Sequence, residues 1–234
     1  MLKSPLRPLL LGHRGARPVR HNWISRTDPD VPSENTFAAF DYALAQGCDG
    51  FEFDIRHTRD RRNVVCHGPQ LGGSTIAEVD IAALRGSDAL TVPCLEDVLA
   101  RYSARAYLDI ELKESGNEDL VVMALHKNRP KAGFVVSSFK CDVLRHLYRC
   151  DQSLPLGYIC DDKQRMNDWR DLPIAVFLPH FSLVSSDLIE TMHRGNVGVM
   201  TWTVNRETDM LRLASWGIDG LISDNPKLLK IALA

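Results

Sequence analysis

The sequence predicts an α/β fold, a (β/α)8 TIM barrel formed as a single domain by residues 1–234. About eight apolar, strand-like segments are each followed by a helical pattern, and the chain length suits one such barrel. Polar residues also recur at or near the C-terminal ends of the predicted strands, namely His13, Glu52, Asp54, Glu111, Lys113 and Trp202. Barrels place their functional side chains at these ends. A doubly wound parallel sheet is the alternative, but it would not bring together residues from so many strand ends.

Composition and charge narrow the class of protein. Hydrophobic residues make up 44% of the chain and charged residues 25%, as in ordinary soluble globular proteins. A net charge of -2 gives no electrostatic reason to expect nucleic acid or an anionic membrane as a partner. The six cysteines form no C-x-x-C pair, which is typical of reduced thiols, and no apolar stretch approaches the ~20 residues of a membrane span. We therefore expect a cytoplasmic protein without stable membrane insertion, and the oligomeric state stays open.

The N-terminal part of the chain predicts a strand, a long loop, a helix and a second strand. Leu9-Leu10-Leu11 is a short buried strand that ends in the glycine-rich turn 12–15. Residues 16–32 contain three prolines and mixed charges and are predicted to form a loop. Residues 33–46 predict a helix with Ser33 as its cap and Glu34 in its first turn. The second strand is Gly-Phe-Glu-Phe-Asp-Ile at residues 50–55, and a short strand follows at 63–66.

The remainder of the chain alternates between helical and strand patterns. The predicted helices cover residues 95–102, 118–127, 142–150, 186–194 and 207–215, and a last helix begins at Pro226. The predicted strands cover residues 106–113, 134–139, 156–160, 174–178, 197–204 and 220–223. Residues 161–172 are predicted to be irregular.

Two of the predicted strands carry acidic residues on one face. Side chains alternate along a strand, so Glu52 and Asp54 share one face while Phe51 and Phe53 share the other. In Asp109-Ile110-Glu111-Leu112-Lys113 the two acids and the lysine again share one face. Like charges held this close are costly to bury unless a cation or a proton neutralises them. Two strands lined with acids therefore predict a metal site.

Nine short blocks follow one another from the first strand to the last helix. They are His13-Arg14-Gly15, Glu34-Asn35-Thr36, Glu52-x-Asp54, Thr58-Arg59-Asp60, His67, Glu111-x-Lys113, Ser138-Phe139, Trp202-Thr203-Val204-Asn205, and Gly217-Ile218-Asp219-Gly220 with Asp224-x-Pro226. In this order the blocks resemble the glycerophosphodiester phosphodiesterase family. The resemblance implies a metal-dependent barrel that hydrolyses glycerophosphodiesters, as its small-molecule substrates, to glycerol 3-phosphate and an alcohol.

The residue types fit the chemistry of phosphodiester hydrolysis. Glu52, Asp54 and Glu111 offer only oxygen ligands, which favours a hard divalent cation such as Mg²⁺ or Ca²⁺ over zinc. Arg14 and Lys113 can hold the non-bridging oxygens of the phosphate, arginine as a fork and lysine as a point charge. Lys113 has a plainer alternative as a salt-bridge partner of Glu111.

Two histidines are the candidate catalytic residues. His13 and His67 carry side chains that titrate near neutrality, as a general base and a general acid should. The resemblance pairs them across the phosphorus, and we assign His67 as the acid that protonates the leaving group. The other six histidines are interpreted as structural, and His180, near a strand end, is the least secure of these exclusions. Whether water or the glycerol 2-hydroxyl attacks first stays open.

The resemblance adds two further substrate-binding residues, Glu34 and Trp202. It places Glu34 at the site, although an acid in the first turn of a helix is also favoured by the helix dipole alone. It places Trp202 toward the glycerol side of the substrate, whereas a tryptophan at a strand end can also be plain core.

The chain departs from the family pattern at two places. His67 is followed by Gly68 where the family usually has His-Asp, and residues 16–33 are longer than the usual link. We expect this loop to rise over the catalytic face, cover the alcohol side of the substrate and contact it through Trp23.

Two alternative functions stay open. A lysophospholipase D acting on the same barrel would need an apolar rim, which Trp23 and Ile24 could supply. A catalytically silent barrel that binds a phosphorylated ligand is the other alternative, and the presence of both candidate histidines argues against it.

Overall fold

The computed structural model describes residues 7–17, 30–84 and 92–233, and it confirms the predicted barrel. Eight parallel strands close on themselves, because the first strand pairs with both the second strand and the last. These strands are β1 (Leu9–Gly12), β2 (Gly50–His57), β6 (Tyr107–Leu112), β7 (Phe134–Ser138), β8 (Leu156–Cys160), β9 (Val176–Pro179), β10 (Gly198–Thr201) and β11 (Gly220–Ser223). Three short strands lie between β2 and β6: β3 (Asn63–Val65), which extends β2 in antiparallel fashion, and the hairpin β4 (Gln70–Leu71) and β5 (Ser74–Thr75).

Helices connect the barrel strands. They are α1 (Phe37–Ala45), α2 (Ile81–Leu84), α3 (Leu95–Tyr102), α4 (Glu118–Lys127), α5 (Cys141–Cys150), α6 (Ser186–Arg194), α7 (Glu207–Ser215) and α8 (Pro226–Ala232). Between β8 and β9 the chain forms two short 3₁₀ turns, 163–165 and 168–171, in the stretch predicted to be irregular. That residues 1–234 form one domain stays a prediction.

The apolar faces of the strands pack outward against the helices. On β2, Phe51 and Phe53 point away from the barrel axis and meet Phe40 of α1, as the alternation predicts. Phe40 and Phe51 stack with ring centroids 4.2 Å apart, and Tyr102 of α3 meets both rings edge-on. This aromatic cluster fixes α1 and α3 against the strand that carries two of the candidate site residues.

Removing one ring of this cluster is expected to destabilise the fold strongly. Phe40→Ala should lower the free energy of unfolding by about 3–5 kcal/mol, because Phe40 is fully buried and its loss leaves a cavity between α1 and β2. Met123→Ala is the control, since Met123 is 64% exposed on α4 and should change stability by less than about 0.5 kcal/mol. Urea unfolding measures both, and a loss below about 1 kcal/mol for Phe40→Ala would contradict the packing described.

The inward faces of the strands fill the barrel with two kinds of residue. One side of the interior is apolar and includes Leu11, Val135, Ile159, Leu178 and Ile222. The other side, formed by β2 and β6, is acidic. The parallel register sets Glu52 beside Asp109 and Asp54 beside Glu111. The candidate site therefore lies where the interior changes from apolar to charged.

The first helix begins later than predicted. Thr36, and not Ser33, is the N-cap, and its Oγ1 accepts a hydrogen bond from the Ala39 amide at 3.2 Å. Asn35 has a φ of 58°, a left-handed conformation that a helix cannot continue through. Glu34 therefore lies in the turn before the helix, and its interpretation as a first-turn acid is wrong.

Several strand boundaries also differ from the predictions by one to three residues. The strand predicted at 197–204 ends at Thr201, and the strand predicted at 174–178 runs from Val176 to Pro179. In the predicted loop 16–33, residues 18–29 and with them Trp23 and Ile24 lie outside the described residues. Among the described helices, none is long and apolar enough to cross a membrane.

Candidate active site

The predicted site residues converge on one cavity of about 230 Å³ at the C-terminal ends of the barrel strands. Seven of the nine predicted residues line it directly. The other two, Asp54 and Glu34, contact lining residues. The lining residues are His13, Arg14, Glu52, His67, Asp109, Glu111, Lys113, Phe139, Ile159, Leu178, Trp202 and Ile222. The strand order thus brings together residues that are far apart in sequence.

Three carboxylates form the centre of this site. One oxygen from each of Glu52, Asp54 and Glu111 lies within 4.8 Å of the others, and all three residues are buried. Their strands are neighbours in the sheet, so the backbone fixes this spacing. Among the described residues, this is the group that could hold a metal ion.

Two cationic side chains lie against the carboxylates. The Lys113 Nζ is 2.7 Å from Asp54 Oδ1 and 2.5 Å from Glu111 Oε1. The Arg14 Nε is 3.2 Å from Asp54 Oδ2, and its Nη1 donates to Glu34 Oε1 at 2.7 Å. Lys113 is therefore a salt-bridge partner of Glu111, as the plainer interpretation held, and it also faces the cavity.

Burial and charge divide the titration of the three acids. Burial, with the nearby charge of Asp54, raises the pKa of Glu52 well above its usual value. Burial raises the pKa of Glu111 to about 7, although Lys113 opposes this shift. Burial also acts on Asp54, but Lys113 and Arg14 outweigh it and lower the pKa of that carboxyl. The site therefore favours ionisation of Asp54 and resists ionisation of Glu52 and Glu111.

The turn after β1 presents two functional groups. Arg14 adopts a φ of 51°, and its backbone N–H donates to Glu52 Oε2 at 2.8 Å. Gly15 has a φ of 82°, and a Cβ there would meet the backbone of Ala39 at 2.6 Å. Only glycine allows the turn to pack this closely on α1. This packing holds Arg14 and His13 over the acidic strands.

His13 is oriented by an acid from the end of the chain. Its Nδ1 is 2.6 Å from Asp224 Oδ1, and its Nε2 is 3.8 Å from Glu52 Oε2. The other oxygen of Asp224 accepts a hydrogen bond from Asn205 Nδ2 at 2.7 Å. Burial acts against ionisation of Asp224, but the hydrogen bonds from His13 and Asn205 and the charge of Arg17 together outweigh it and lower the pKa of that carboxyl. Asp224 is thus an ionised partner that directs the Nε2 of His13 toward the cavity.

His67 has a different environment. It follows β3 and is exposed as a residue, although it lines the cavity, and its ring has no hydrogen-bond partner among the described residues. Partial desolvation lowers its pKa to about 4, so the imidazole is neutral at neutral pH. No acid follows it in sequence, since Gly68 occupies that position. Of the two histidines, His13 therefore has an acid partner that orients its ring, and His67 has none among the described residues.

An aromatic wall faces the charged side of the cavity. Trp202 and Phe139 meet edge-on with centroids 5.5 Å apart, and the Trp202 Nε1 donates to Leu178 O at 3.0 Å. His180 packs edge-on against Trp202 at 5.4 Å, and its Nδ1 lies 2.8 Å from Ser182 Oγ. Trp202 is thus half-buried wall and not plain core. His180 packs against Trp202 and so helps to hold this wall in place.

Comparison with known proteins decides the family. A sequence profile of the "Glycerophosphoryl diester phosphodiesterase family" matches residues 13–228, nearly the whole chain. The chain belongs to this family. The match spans every predicted site residue, from His13 to Trp202, and it confirms the predicted family and enzyme class, that of the phosphoric diester hydrolases.

Relatives and solved structures agree with this assignment. The uncharacterised protein YqiK of Bacillus subtilis is 31% identical over 83% of this chain and 90% of its own length. A glycerophosphodiester phosphodiesterase of Caldanaerobacter subterraneus is 26% identical over 96% of this chain and 97% of its own. A phosphodiesterase from Oleispira antarctica, solved in complex with the product sn-glycerol-3-phosphate, shares the fold with a TM-score of 0.79 at 23% identity, covering 97% of this chain and 96% of that one.

Three residues of the phosphodiesterase site were missed by the sequence analysis as site residues. Asp224 orients His13, Asn35 donates to Asp54 Oδ2 at 2.8 Å, and Asp109 lines the cavity below Glu111. Asn35 and Asp224 lie inside sequence blocks that carry the family resemblance, so a signal for them existed. Asp109 shares a strand face with Glu111, and the alternation alone places it inside the barrel.

Proposed function

We propose that this chain hydrolyses glycerophosphodiesters to glycerol 3-phosphate and an alcohol with the help of Mg²⁺ or Ca²⁺. The observation that supports this most is the buried cluster of Glu52, Asp54 and Glu111 beside two histidines in one cavity. A phosphodiester is an anion, so its hydrolysis needs charge neutralisation, a base for the attacking oxygen and an acid for the leaving alcohol. Family membership and fold support the same reaction.

The residues present fit a hard divalent cation. Glu52 Oε1 is buried without a hydrogen-bond partner, and the three carboxylates offer oxygen ligands alone. Lys113 and Arg14 are already paired with Asp54, Glu111 and Glu34, and no cation among the described residues contacts Glu52 Oε1. Glu52, Asp54 and Glu111 would hold the cation. When bound, it supplies positive charge that neutralises the phosphodiester anion.

Arg14 and Lys113 bind the non-bridging phosphate oxygens in this proposal. Both side chains line the cavity, and both carry acid partners that keep them charged and in place. Burial works against their charge, but the neighbouring carboxylates outweigh it and raise the pKa of each. They therefore meet the substrate as fixed cations.

His13 acts as the general base. Asp224 engages its Nδ1, which leaves Nε2 as the nitrogen that can take a proton from the attacking oxygen. The ionised Asp224 also stabilises the imidazolium that then forms. Glu52 lies 3.8 Å from Nε2, so the base stands at the edge of the acid cluster where the cation would lie.

His67 acts as the general acid. It is neutral in the free enzyme, since its pKa is about 4, and a bound phosphodiester anion favours its protonated form. The protonated ring can then donate to the oxygen of the departing alcohol.

Glu34 keeps the guanidinium of Arg14 in position, and Trp202 packs beside the glycerol part of the substrate.

Asp224→Asn is expected to lower kcat by roughly 10- to 100-fold with little change in KM. The amide cannot stabilise the imidazolium of His13, although it keeps the shape of the pair. Asp151→Asn is a matched control. Asp151 pairs with His126 at 2.7 Å, but that histidine is exposed on the surface, so activity should not change. Equal effects of the two substitutions would show that Asp224 has only a structural part.

A head-group panel tests the proposed function directly. Release of glycerol 3-phosphate and of free alcohol is measured with glycerophosphocholine, glycerophosphoethanolamine and lysophosphatidylcholine, each with and without a chelator. We expect turnover of the first two and loss of that turnover in the chelator. Turnover of lysophosphatidylcholine alone would show a lysophospholipase D instead, and no turnover of any substrate would show a binding barrel. The dispersed cysteines, which form no C-x-x-C pair, further support a cytoplasmic location in this proposal.

A further inference from the structure

Asp109 is a buried acid in the catalytic cavity to which the proposed mechanism gives no part. It lies on β6, one inward position below Glu111, and is 1% exposed. Its Oδ1 accepts a hydrogen bond from Ser137 Oγ at 2.6 Å, so the carboxylate is held in one orientation. Its Oδ2 is buried and has no hydrogen-bond partner among the described residues.

Nothing in the neighbouring wall can satisfy that oxygen. Ile159, Leu178 and Ile222 line the cavity with apolar atoms. On the neighbouring strand the residue beside Asp109 is Glu52, which is itself an acceptor and also has an oxygen without a partner. A buried polar atom without a partner costs free energy, so the group that fills the cavity is expected to supply a donor.

The chemistry of that donor follows from the surroundings. A second divalent cation would need several oxygen ligands at once, and the metal-binding group among the described residues does not include Asp109. The phosphate of a substrate is an anion that Arg14 and Lys113 attract, and its ionised oxygens offer no donor to Asp109 Oδ2. A neutral hydroxyl needs only one acceptor and carries no charge. It is the donor that suits this position.

We propose that Asp109 Oδ2 accepts a hydrogen bond from a hydroxyl of the glycerol part of the substrate, and that it selects substrates with a free hydroxyl at that position. This inference rests on the proposed function, since it assumes that the cavity takes a glycerophosphodiester. Asp109 is then a specificity-determining residue, and Ser137 positions it. The cavity of about 230 Å³ has room for a glycerol phosphate group above Asp109.

The test compares ligands that differ by one hydroxyl. Binding of glycerol 3-phosphate, 3-hydroxypropyl phosphate and 2-hydroxypropyl phosphate to the full-length protein is measured by titration calorimetry in buffer with Mg²⁺. For the wild type, one of the two analogues should bind about 10- to 100-fold more weakly than glycerol 3-phosphate, the scale of leaving a buried acceptor without its donor. For Asp109→Leu, glycerol 3-phosphate should fall to the affinity of that analogue, and the difference between them should vanish.

Two further variants control for structural effects. Tyr107 lies two residues before Asp109 on β6 and does not line the catalytic cavity; it lines a separate cavity together with Gly133 and Pro155. Tyr107→Phe should therefore leave the three affinities as in the wild type. Asp109→Ala repeats the comparison if the leucine variant does not fold, as judged by its melting temperature. The proposal is overturned if the wild type binds all three ligands equally or binds none of them. It is also overturned if loss of the Asp109 carboxylate weakens all three ligands by the same factor.

Failure of the proposed function gives a different result. If the wild type hydrolyses no glycerophosphodiester in the head-group panel but shows the hydroxyl dependence described here, the reaction is wrong and the role of Asp109 stands. If it hydrolyses glycerophosphodiesters without any hydroxyl dependence, the reaction stands and the role of Asp109 is wrong.

Discussion

Chelation of divalent cations is expected to abolish the turnover of glycerophosphodiesters, and added Mg²⁺ or Ca²⁺ to restore it. Glu52, Asp54 and Glu111 are buried within 4.8 Å of one another and offer oxygen ligands to a cation but no positive charge to an anionic substrate. Without a cation, the positive charge beside the phosphate comes from Arg14 and Lys113, which are already paired with Asp54 and Glu111. The loss is measured as glycerol 3-phosphate formed from glycerophosphocholine. The chelated reaction is stopped first, and a phosphatase then releases phosphate from the product for the assay. Elemental analysis confirms that the metal has been removed.

A second measurement tests metal binding without using activity. Saturating Mg²⁺ should raise the melting temperature of the wild type, since a ligand at 100 times its Kd stabilises the native state by about 2.7 kcal/mol. Glu52→Gln should lose most of this increase. Without metal the variant should melt about 2–4 °C higher than the wild type, because it removes a buried carboxyl whose pKa is raised by burial and by Asp54. Its amide oxygen can still accept from the Arg14 amide.

Glu190→Gln is the matched control for charge. Glu190 is exposed on α6 and does not line the cavity, so its loss should leave both the metal-dependent increase and the turnover unchanged. Full turnover of metal-free wild type would remove the cation from the proposal. So would an equal Mg²⁺ effect on Glu52→Gln and on the wild type.

Strand alternation is the reason the acidic site could be predicted from the sequence. Glu52 and Asp54 are separated by one residue, and so are Glu111 and Lys113, so each pair must face the same way once the strand exists. The apolar run around them identifies the strand, and the barrel fold sets the two strands side by side. The alternation within each strand and the fold class were therefore sufficient to predict that these four side chains lie together.

The contact between Asp224 and His13 could not be predicted from strand alternation. Asp224 lies 211 residues from His13, and their contact depends on β11 closing the barrel against β1. The sequence shows Asp224 as a member of a block but carries no sign of which side chain it meets. The missing partner of Asp109 Oδ2 is likewise a property of the packed interior, since it depends on which apolar residues of distant strands line the cavity.

The start of α1 shows a limit of local signals. Ser33 and Glu34 together resemble a helix start, and Thr36 lies only three residues later. Asn35 determines which of these residues begins the helix. Its side chain donates a hydrogen bond to Asp54, and its backbone N–H donates to Arg14 O at 2.9 Å. These tertiary contacts hold Asn35 in a left-handed conformation, and the helix can begin only after it.

His13→Ala and His67→Ala are each expected to lower kcat by roughly 10²- to 10⁴-fold on glycerophosphocholine, the range for a positioned acid or base. Both rings line the cavity, but only His13 has an acid partner there among the described residues. His126→Ala is the control, because His126 is an exposed histidine with its own acid partner and should not affect turnover. Melting temperatures confirm that each variant is folded.

The leaving group separates the roles of the two histidines. A nitrophenyl ester of glycerol phosphate has an acidic leaving group that departs without protonation. If His67 protonates the leaving alcohol, His67→Ala should recover most of its activity on this ester, whereas His13→Ala should not, since the attacking oxygen still needs a base. Recovery of His13→Ala instead would reverse the two assignments. Equal losses on both substrates for His67→Ala would leave His67 with a structural part, because a true proton donor must lose its importance when no proton is needed.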